Sequence, residues 1–224
     1  MCNPAPGTAF GLGAQIVMCS AADASGNTSQ CSFGVRVHPG NLPPNPVIEV
    51  SPLASFPGDT NLVVIAPDGR QSTVVFDGSK SSDPDDASFL FFWYDATNLF
   101  STNMVARESM GLGSHTITLW VDDTFPLGTN SSSVVVKVIS PSDAVGIVVG
   151  LLNNSNLGGN TIQSLSASLE VAEAAFARGN SGAAANQLAA FQNKVRAQVA
   201  PYDAGLANEL IAAAQVILDS LGGG

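Results

Sequence analysis

Four carboxylates lie close together near the middle of the chain: Asp77, then Asp83, Asp85 and Asp86, all within the run DGSKSSDPDD at 77–86. Hard cations take oxygen ligands from acidic loops, so calcium binding is the chemistry such a cluster offers. The spacing departs from the EF-hand loop, which needs a central glycine and a glutamate at position twelve; Tyr94 stands there instead. A second reading needs no ion, because Asp and Ser hydrogen-bond their own backbone and Asp-Pro initiates turns. Other reactive side chains are few. The two histidines are His38 and His115, and neither belongs to an H-E-x-x-H; no G-x-S-x-G elbow and no phosphate loop occur. His115 reads as ordinary surface. Glu49 and Glu108 are isolated and form no acid–base couple that spacing identifies. The chain therefore reads as not an enzyme, with calcium as the one candidate cofactor.

Three cysteines without a C-x-x-C suit an oxidising compartment, and the odd count leaves one unpaired. Charged residues make up 12% of the 224, with a net charge of −10. That balance excludes a nucleic-acid partner, which requires clustered Lys and Arg. An acidic surface fits solubility outside the cell. The start, MCNPAPGTAF, lacks the basic and apolar regions of an export signal, so a secreted-looking chain of this kind reads as a fragment of something longer. The longest apolar run, AVGIVVGLL at 144–152, is about half a membrane span, and no transmembrane segment is expected.

These residues must be positioned by three regions of different composition. Residues 1–38 alternate in two runs, 15–20 and 31–37, around the turn DASGN. The proline-rich stretch 39–46 reads as an extended, semi-rigid linker. Residues 47–140 carry short strands at 47–50, 73–77, 89–94, 103–107, 115–121 and 132–139, the spacing of a β-sandwich. After Pro141 the apolar period becomes 3.6. Ile162, Leu165, Leu169, Ala172 and Phe176 form one helical stripe, and Ala184, Leu188, Phe191, Val195 and Val199 a second. Leu206, Leu210, Ala213, Ile217 and Leu221 form a third. Asn180 or Ser181 and Asp203 are candidate caps, and a shorter helix over about 143–153 completes a small four-helix unit across 141–222 with antiparallel neighbours. Arg178, Lys194 and Arg196 read as solvated.

The first region resembles the C-terminal half of a hyalin repeat (HYR). The resemblance rests on Cys2, Pro4, Gly7, Phe10, Gly13, Val17, Cys19, Ala21, Asp23, Ser25, Gly26, Asn27, Cys31, Phe33, Val35 and Val37. It implies an immunoglobulin-like adhesion module with its first half missing, a Cys2–Cys19 disulfide worth about 3 kcal/mol, and an absent partner for Cys31. The second region resembles a polycystic-kidney-disease-type (PKD) domain through Phe76-Asp77-Gly78-Ser79, Ser82-Asp83-Pro84-Asp85, Trp93, Leu112 to Leu119 and Val121-Asp122, which implies a second sandwich. The third is similar to the bacterial FIMAH helical domain through Leu169-Glu170, Ala174-Ala175, Arg178-Gly179-Asn180, Asn186-Gln187-Leu188, Phe191, Val195, Gln198 and Ala213-Ala214-Gln215. That family locates a protein at the bacterial exterior without supplying an activity.

Aligned to the PKD pattern, Phe89, Phe91 and Trp93 point inward, so Leu90, Phe92 and Tyr94 point outward. On 115–121 the inward residues are Ile117, Leu119 and Val121, which leaves Trp120 outward. If these strands are neighbours, Leu90, Phe92, Tyr94 and Trp120 form one apolar patch, for which the helical domain, a neighbouring copy or module, or a glycan are the candidate occupants. The expected fold class is thus multidomain: a partial β-sandwich, an immunoglobulin-like sandwich, then a four-helix bundle. The expected function is non-catalytic adhesion or spacing in an extracellular or surface protein of bacteria. The alternative is an accessory, carbohydrate-binding region of a secreted hydrolase or metallopeptidase. Expected partners are other domains of the parent protein and a surface glycan or protein.

Overall fold

The computed structural model describes residues 1–85, 88–125 and 128–222 and falls into two compact units, Met1–Leu42 and Pro43–Gly224. Its layout is β-rich first and helical last.

In the first unit, β1 (Cys2–Asn3), β2 (Gly13–Ala22) and β3 (Thr28–Val37) form an antiparallel sheet in the order β1-β2-β3. The β2–β3 hairpin runs unbroken from Gly13 opposite Val37 to Ala22 opposite Thr28. Its turn explains the D-x-S-G-N signature. Asp23 Oδ1 accepts the backbone N–H of Ser25 and of Asn27, each at 2.9 Å, and Oδ2 accepts the Asn27 side-chain amide at 2.7 Å. Hydrogen bonds from Asn27 first, then Ser25 and Gly26, hold the Asp23 carboxyl below its usual range. Gly26 supplies the left-handed φ of 87° that closes the turn. A single sheet has no second layer to pack on, and Val17 is the one buried side chain of the unit. Ile16 and Met18 are exposed on one face, and Phe33, opposite Val17, on the other.

The second unit begins with eight strands: β4 (Glu49–Ser51), β5 (Leu62–Ile65), β6 (Gln71–Asp77), β7 (Leu90–Asp95), β8 (Asn98–Ser101), β9 (Val105–Gly111), β10 (Gly113–Asp122) and β11 (Thr129–Ile139). They build a five-stranded sheet, β5-β11-β10-β7-β8, and a three-stranded one, β4-β6-β9. Alternate residues of both sheets share one hydrophobic cluster containing Val74, Phe76, Trp93, Met110, Leu119 and Val136. Trp93 is fully buried and donates its indole N–H to the Asn103 carbonyl at 2.8 Å, as a buried Trp requires. The second half of the stretch that reads as linker, from Pro43 on, lies in this unit. Asn45 and Ser82 exchange two backbone hydrogen bonds, and the Asn130 side chain donates to the Pro44 carbonyl at 2.9 Å.

Four helices follow: α1 (Pro141–Asn153), α2 (Gly159–Ala177), α3 (Ser181–Gln198) and α4 (Ala204–Gly222). Ser140 and Asp143 form a reciprocal capping box ahead of α1, with Pro141 at the first turn. Asn180 caps α3 through the Ala183 N–H, and Asp203 caps α4 through the Leu206 N–H. Gly179, at φ 71°, ends the second helix. The helices are neighbours in a ring: α1 with α2 and α4, α3 with α2 and α4. Their predicted stripes are the buried ones, with Ile162, Phe176, Leu206 and Leu221 only half-buried. Arg178 and Arg196 are solvated as expected, but Lys194 is not. Its ammonium donates to the Ser164 carbonyl at 3.0 Å and to Ser168 Oγ at 2.8 Å, joining α3 to α2. Its aliphatic stem lies along the helix surface while the head finds oxygen, so charge alone did not reveal its place.

The sheets and the helices share a core. Val63, Ile65 and Ile139 occupy the outward positions of β5 and the end of β11, yet they are buried in one cluster with Leu165, Phe191 and Leu210 of the helices. α4 is also long and apolar enough to cross a membrane by length and composition, a test that a core helix passes equally. Here Ala207, Leu210, Ala213, Ala214 and Ile217 of α4 line the shared core.

Candidate functional site

The inner aromatics set the outer surface. Phe76 packs against Trp93 and Phe100 with ring centroids 5.8 Å apart in each pair, and Phe89 against Phe91 at 5.4 Å. With Phe91 and Trp93 turned inward, the two-residue period of a strand turns Leu90, Phe92 and Tyr94 outward. β7 and β10 are hydrogen-bonded neighbours in a register that places Phe92 opposite Trp120 and Tyr94 opposite Thr118. Directly opposed residues stand on the same face, so Phe92 and Trp120 are adjacent. Leu90 is 52% and Trp120 45% exposed, while Phe92 and Tyr94 are half-buried.

Sequence reasoning missed Leu99 of β8, which pairs with Tyr94 across a bulge and extends the patch towards the sheet edge. Its strand is short and follows the tight turn at Ala96, which takes a φ of 51°, so no alternating pattern announces it. On the other side the patch meets hydroxyls. Ser131 lies opposite Trp120, and Thr118 and Ser133 share a hydrogen bond of 2.8 Å. Asp122 lies opposite Leu90. The helices cover the other end of this same sheet face, over Val63, Ile65 and Ile139.

Two of the acidic residues cap their own turns. Asp77 Oδ1 accepts the Ser79 N–H and Asp83 Oδ1 the Asp85 N–H, each at 2.8 Å. Hydrogen bonds from Ser79 hold the Asp77 carboxyl below its usual range. Asp83 Oδ2 is buried with no hydrogen-bond partner. Asp86 lies outside the described residues, and among those described no three His, Cys, Asp or Glu side chains are grouped to hold a metal ion.

His115 is not ordinary surface. It is the third residue of β10 and half-buried, with Nδ1 2.8 Å from Asp95 Oδ2 and Nε2 2.9 Å from the Gly111 carbonyl. Partial burial pulls its pKa down, but the Asp95 hydrogen bond, the Gly111 carbonyl and the Asp95 charge outweigh this and hold it above its ordinary value. Neither ring nitrogen has a further group to act on, so the arrangement ties strands together. A groove of about 640 Å³ runs beside the three-stranded sheet, bordered by Leu53, Thr73, Arg107, Val216 and Asp219.

In the first unit the disulfide joins Cys2 and Cys19, and Cys31 is free and exposed. Residues 1–37 match the family model of the HYR domain. No curated protein and no solved structure matches the chain.

Proposed function

We propose that the chain is a non-catalytic extracellular region that mediates adhesion or spacing at a bacterial surface. In this reading residues 1–38 are an HYR module and 39–46 its connection. Residues 47–140 are a PKD-like immunoglobulin-type sandwich, and 141–222 a FIMAH-like four-helix bundle. The observation that carries it is the HYR match over 1–37 together with the Cys2–Cys19 disulfide, a bond that persists in oxidising surroundings. The core shared by sheets and helices supports a spacing role, because it makes the second unit a stiff body rather than beads on a string.

A second reading, an accessory carbohydrate-binding region, is favoured by the uncovered row of Phe92, Trp120 and Tyr94 bordered by Ser131 and Thr118. Aromatic faces stack on apolar sugar faces while hydroxyls and carboxylates take the ring substituents. One experiment separates the readings: the whole chain on a glycan array, with and without calcium, beside Phe92→Thr/Trp120→Thr. Binding that the double substitution abolishes selects the glycan reading. No glycan bound and no calcium shift in melting temperature selects the spacer. Turnover of ester, glycoside or peptide substrates by the purified chain overturns both.

A further inference from the structure

Asp83 carries a carboxylate oxygen that nothing satisfies. Its Oδ2 is buried and has no hydrogen-bond partner among the described residues, while Pro84 beside it is exposed. Taking a carboxylate oxygen out of water without a replacement hydrogen bond costs free energy, and it leaves that oxygen's lone pairs free to react. The next bond along is the single Asp–Pro peptide of the chain, Asp83–Pro84. Both sides of that peptide are held. Ahead of it, Ser82 and Asn45 exchange backbone hydrogen bonds of 2.7 and 3.2 Å; beyond it, Asp83 Oδ1 accepts the Asp85 N–H at 2.8 Å. This last bond spans the Asp83–Pro84 peptide, so the carboxyl group is kept alongside it. Attack by Oδ2 on the Asp83 main-chain carbonyl carbon closes a small, unstrained ring through Cγ, Cβ and Cα. The Pro84 nitrogen has no hydrogen and leaves as a basic secondary amine.

We propose that Asp83–Pro84 is a self-cleavage site at which the Asp83 side chain cuts its own main chain. The bond from Asp83 Oδ2 to the Asp83 carbonyl carbon forms as the bond from that carbon to the Pro84 nitrogen breaks. The electron pair leaves on the nitrogen, which takes a proton from water, and Asp83 becomes a cyclic anhydride. Water then adds to the anhydride, returning the side-chain carboxylate and leaving a main-chain carboxylate on Asp83. Nothing is oxidised or reduced, and one water is consumed. The cut falls between β6 and β7 and leaves the pairing intact: β5 stays with β11 and β6 with β9. Val74 and Phe76 before the cut stay packed with Trp93, Leu119 and Val136 after it. The product is a two-chain body whose first unit is tied to the helices by non-covalent contacts alone. It is one event per chain, so no external substrate is turned over, and it stands whichever of the two readings above holds.

Mass spectrometry of the whole chain tests this. The purified chain is incubated with protease inhibitors at neutral and mildly acidic pH, folded in buffer and unfolded in guanidinium chloride side by side. The expected products are residues 1–83 and 84–224, with masses that sum to the intact chain plus one water. Cleavage should be at least about tenfold faster folded than unfolded, because only the fold positions the carboxyl group, and independent of protein concentration. With hydroxylamine present, fragment 1–83 should end in a hydroxamate, the mark of an intercepted anhydride. Asp83→Asn keeps the oxygen that accepts the Asp85 N–H and should stay intact, as should Pro84→Ala, with tryptophan fluorescence reporting that each is folded. If neither variant folds, the native chain alone decides. Equal rates folded and unfolded would be ordinary Asp–Pro lability and overturn the proposal. An uncut folded chain, a cut in folded Asp83→Asn, or a 1–83 fragment without hydroxamate overturns it equally. The two fragments should elute together under native conditions, and separate elution refutes the two-chain body.

Discussion

His115 shows how much a single position conceals from its sequence. The residue lies in a strand that alternates cleanly, and only the register brings Asp95 and the Gly111 carbonyl to its two ring nitrogens. Both partners are acceptors, so the doubly protonated ring satisfies the site. With the folded pKa raised above the unfolded value, the stabilisation is fully present below the unfolded pKa, about 6.5, and is lost as pH rises through the folded one. Melting temperatures of the chain and of His115→Gln should therefore converge between about pH 6 and about pH 9. A gap that is constant over that range would show that the imidazolium contributes nothing. Gly78 is the opposite case, a legible motif whose reason is physical. A Cβ there would meet Phe91 Cε1 at 3.0 Å and both Leu119 Cδ2 and the Met104 carbonyl at 3.2 Å. Gly78→Ala should destabilise the second unit by about 1–3 kcal/mol in denaturant melts, since the crowded neighbours include backbone and buried core.

Elements were legible where one face is wet. The strands at 71–77, 113–122 and 129–139 and the four helices all carry a clear period, because water on one side forces polar residues into alternate places. β5 escaped notice for the converse reason. Its LVVI is apolar throughout because Val64 enters the core between the sheets while Val63 and Ile65 enter the core with the helices. A strand covered on both faces has no alternation to read. β1 and β8 are too short to show one. The outward direction of Leu90, Phe92, Tyr94 and Trp120 follows from the inward anchors Phe91 and Trp93, whereas Leu99 depends on a turn and a bulge. The starts of α3 and α4 were legible through Asn180 and Asp203, whereas the Ser140 cap of α1 was not, and such caps carry measurable stability. Ser140→Ala removes the oxygen that accepts the Asp143 N–H and should cost about 1 kcal/mol, with Ser140→Thr retaining most of it. Loss of amide-exchange protection confined to the first turn of α1 is the local signature to look for.

At the scale of the second unit, the shared core makes a prediction that neither the sheets nor the helices make alone. Val63, Ile65 and Ile139 are 2–5% exposed and lie in one buried cluster with the stripes of the helices. Separating the two would open apolar surface on both sides, so residues 43–222 should unfold in a single transition. The two probes are independent by composition. Both tryptophans, Trp93 and Trp120, lie in the strands and none in the helices, so fluorescence follows the sheets while far-ultraviolet dichroism is dominated by the helices. The two melts should coincide in the native chain. Ile139→Ala, a change at the junction, should lower both midpoints together, by about 2–4 kcal/mol of stability. Leu210→Ala, deep among the helices, should lower the tryptophan midpoint as well, although it touches neither tryptophan strand. A helical transition that separates from the fluorescence transition in either variant would mean that the junction is a contact between two independently stable bodies, and the stiff-spacer reading would lose its physical basis.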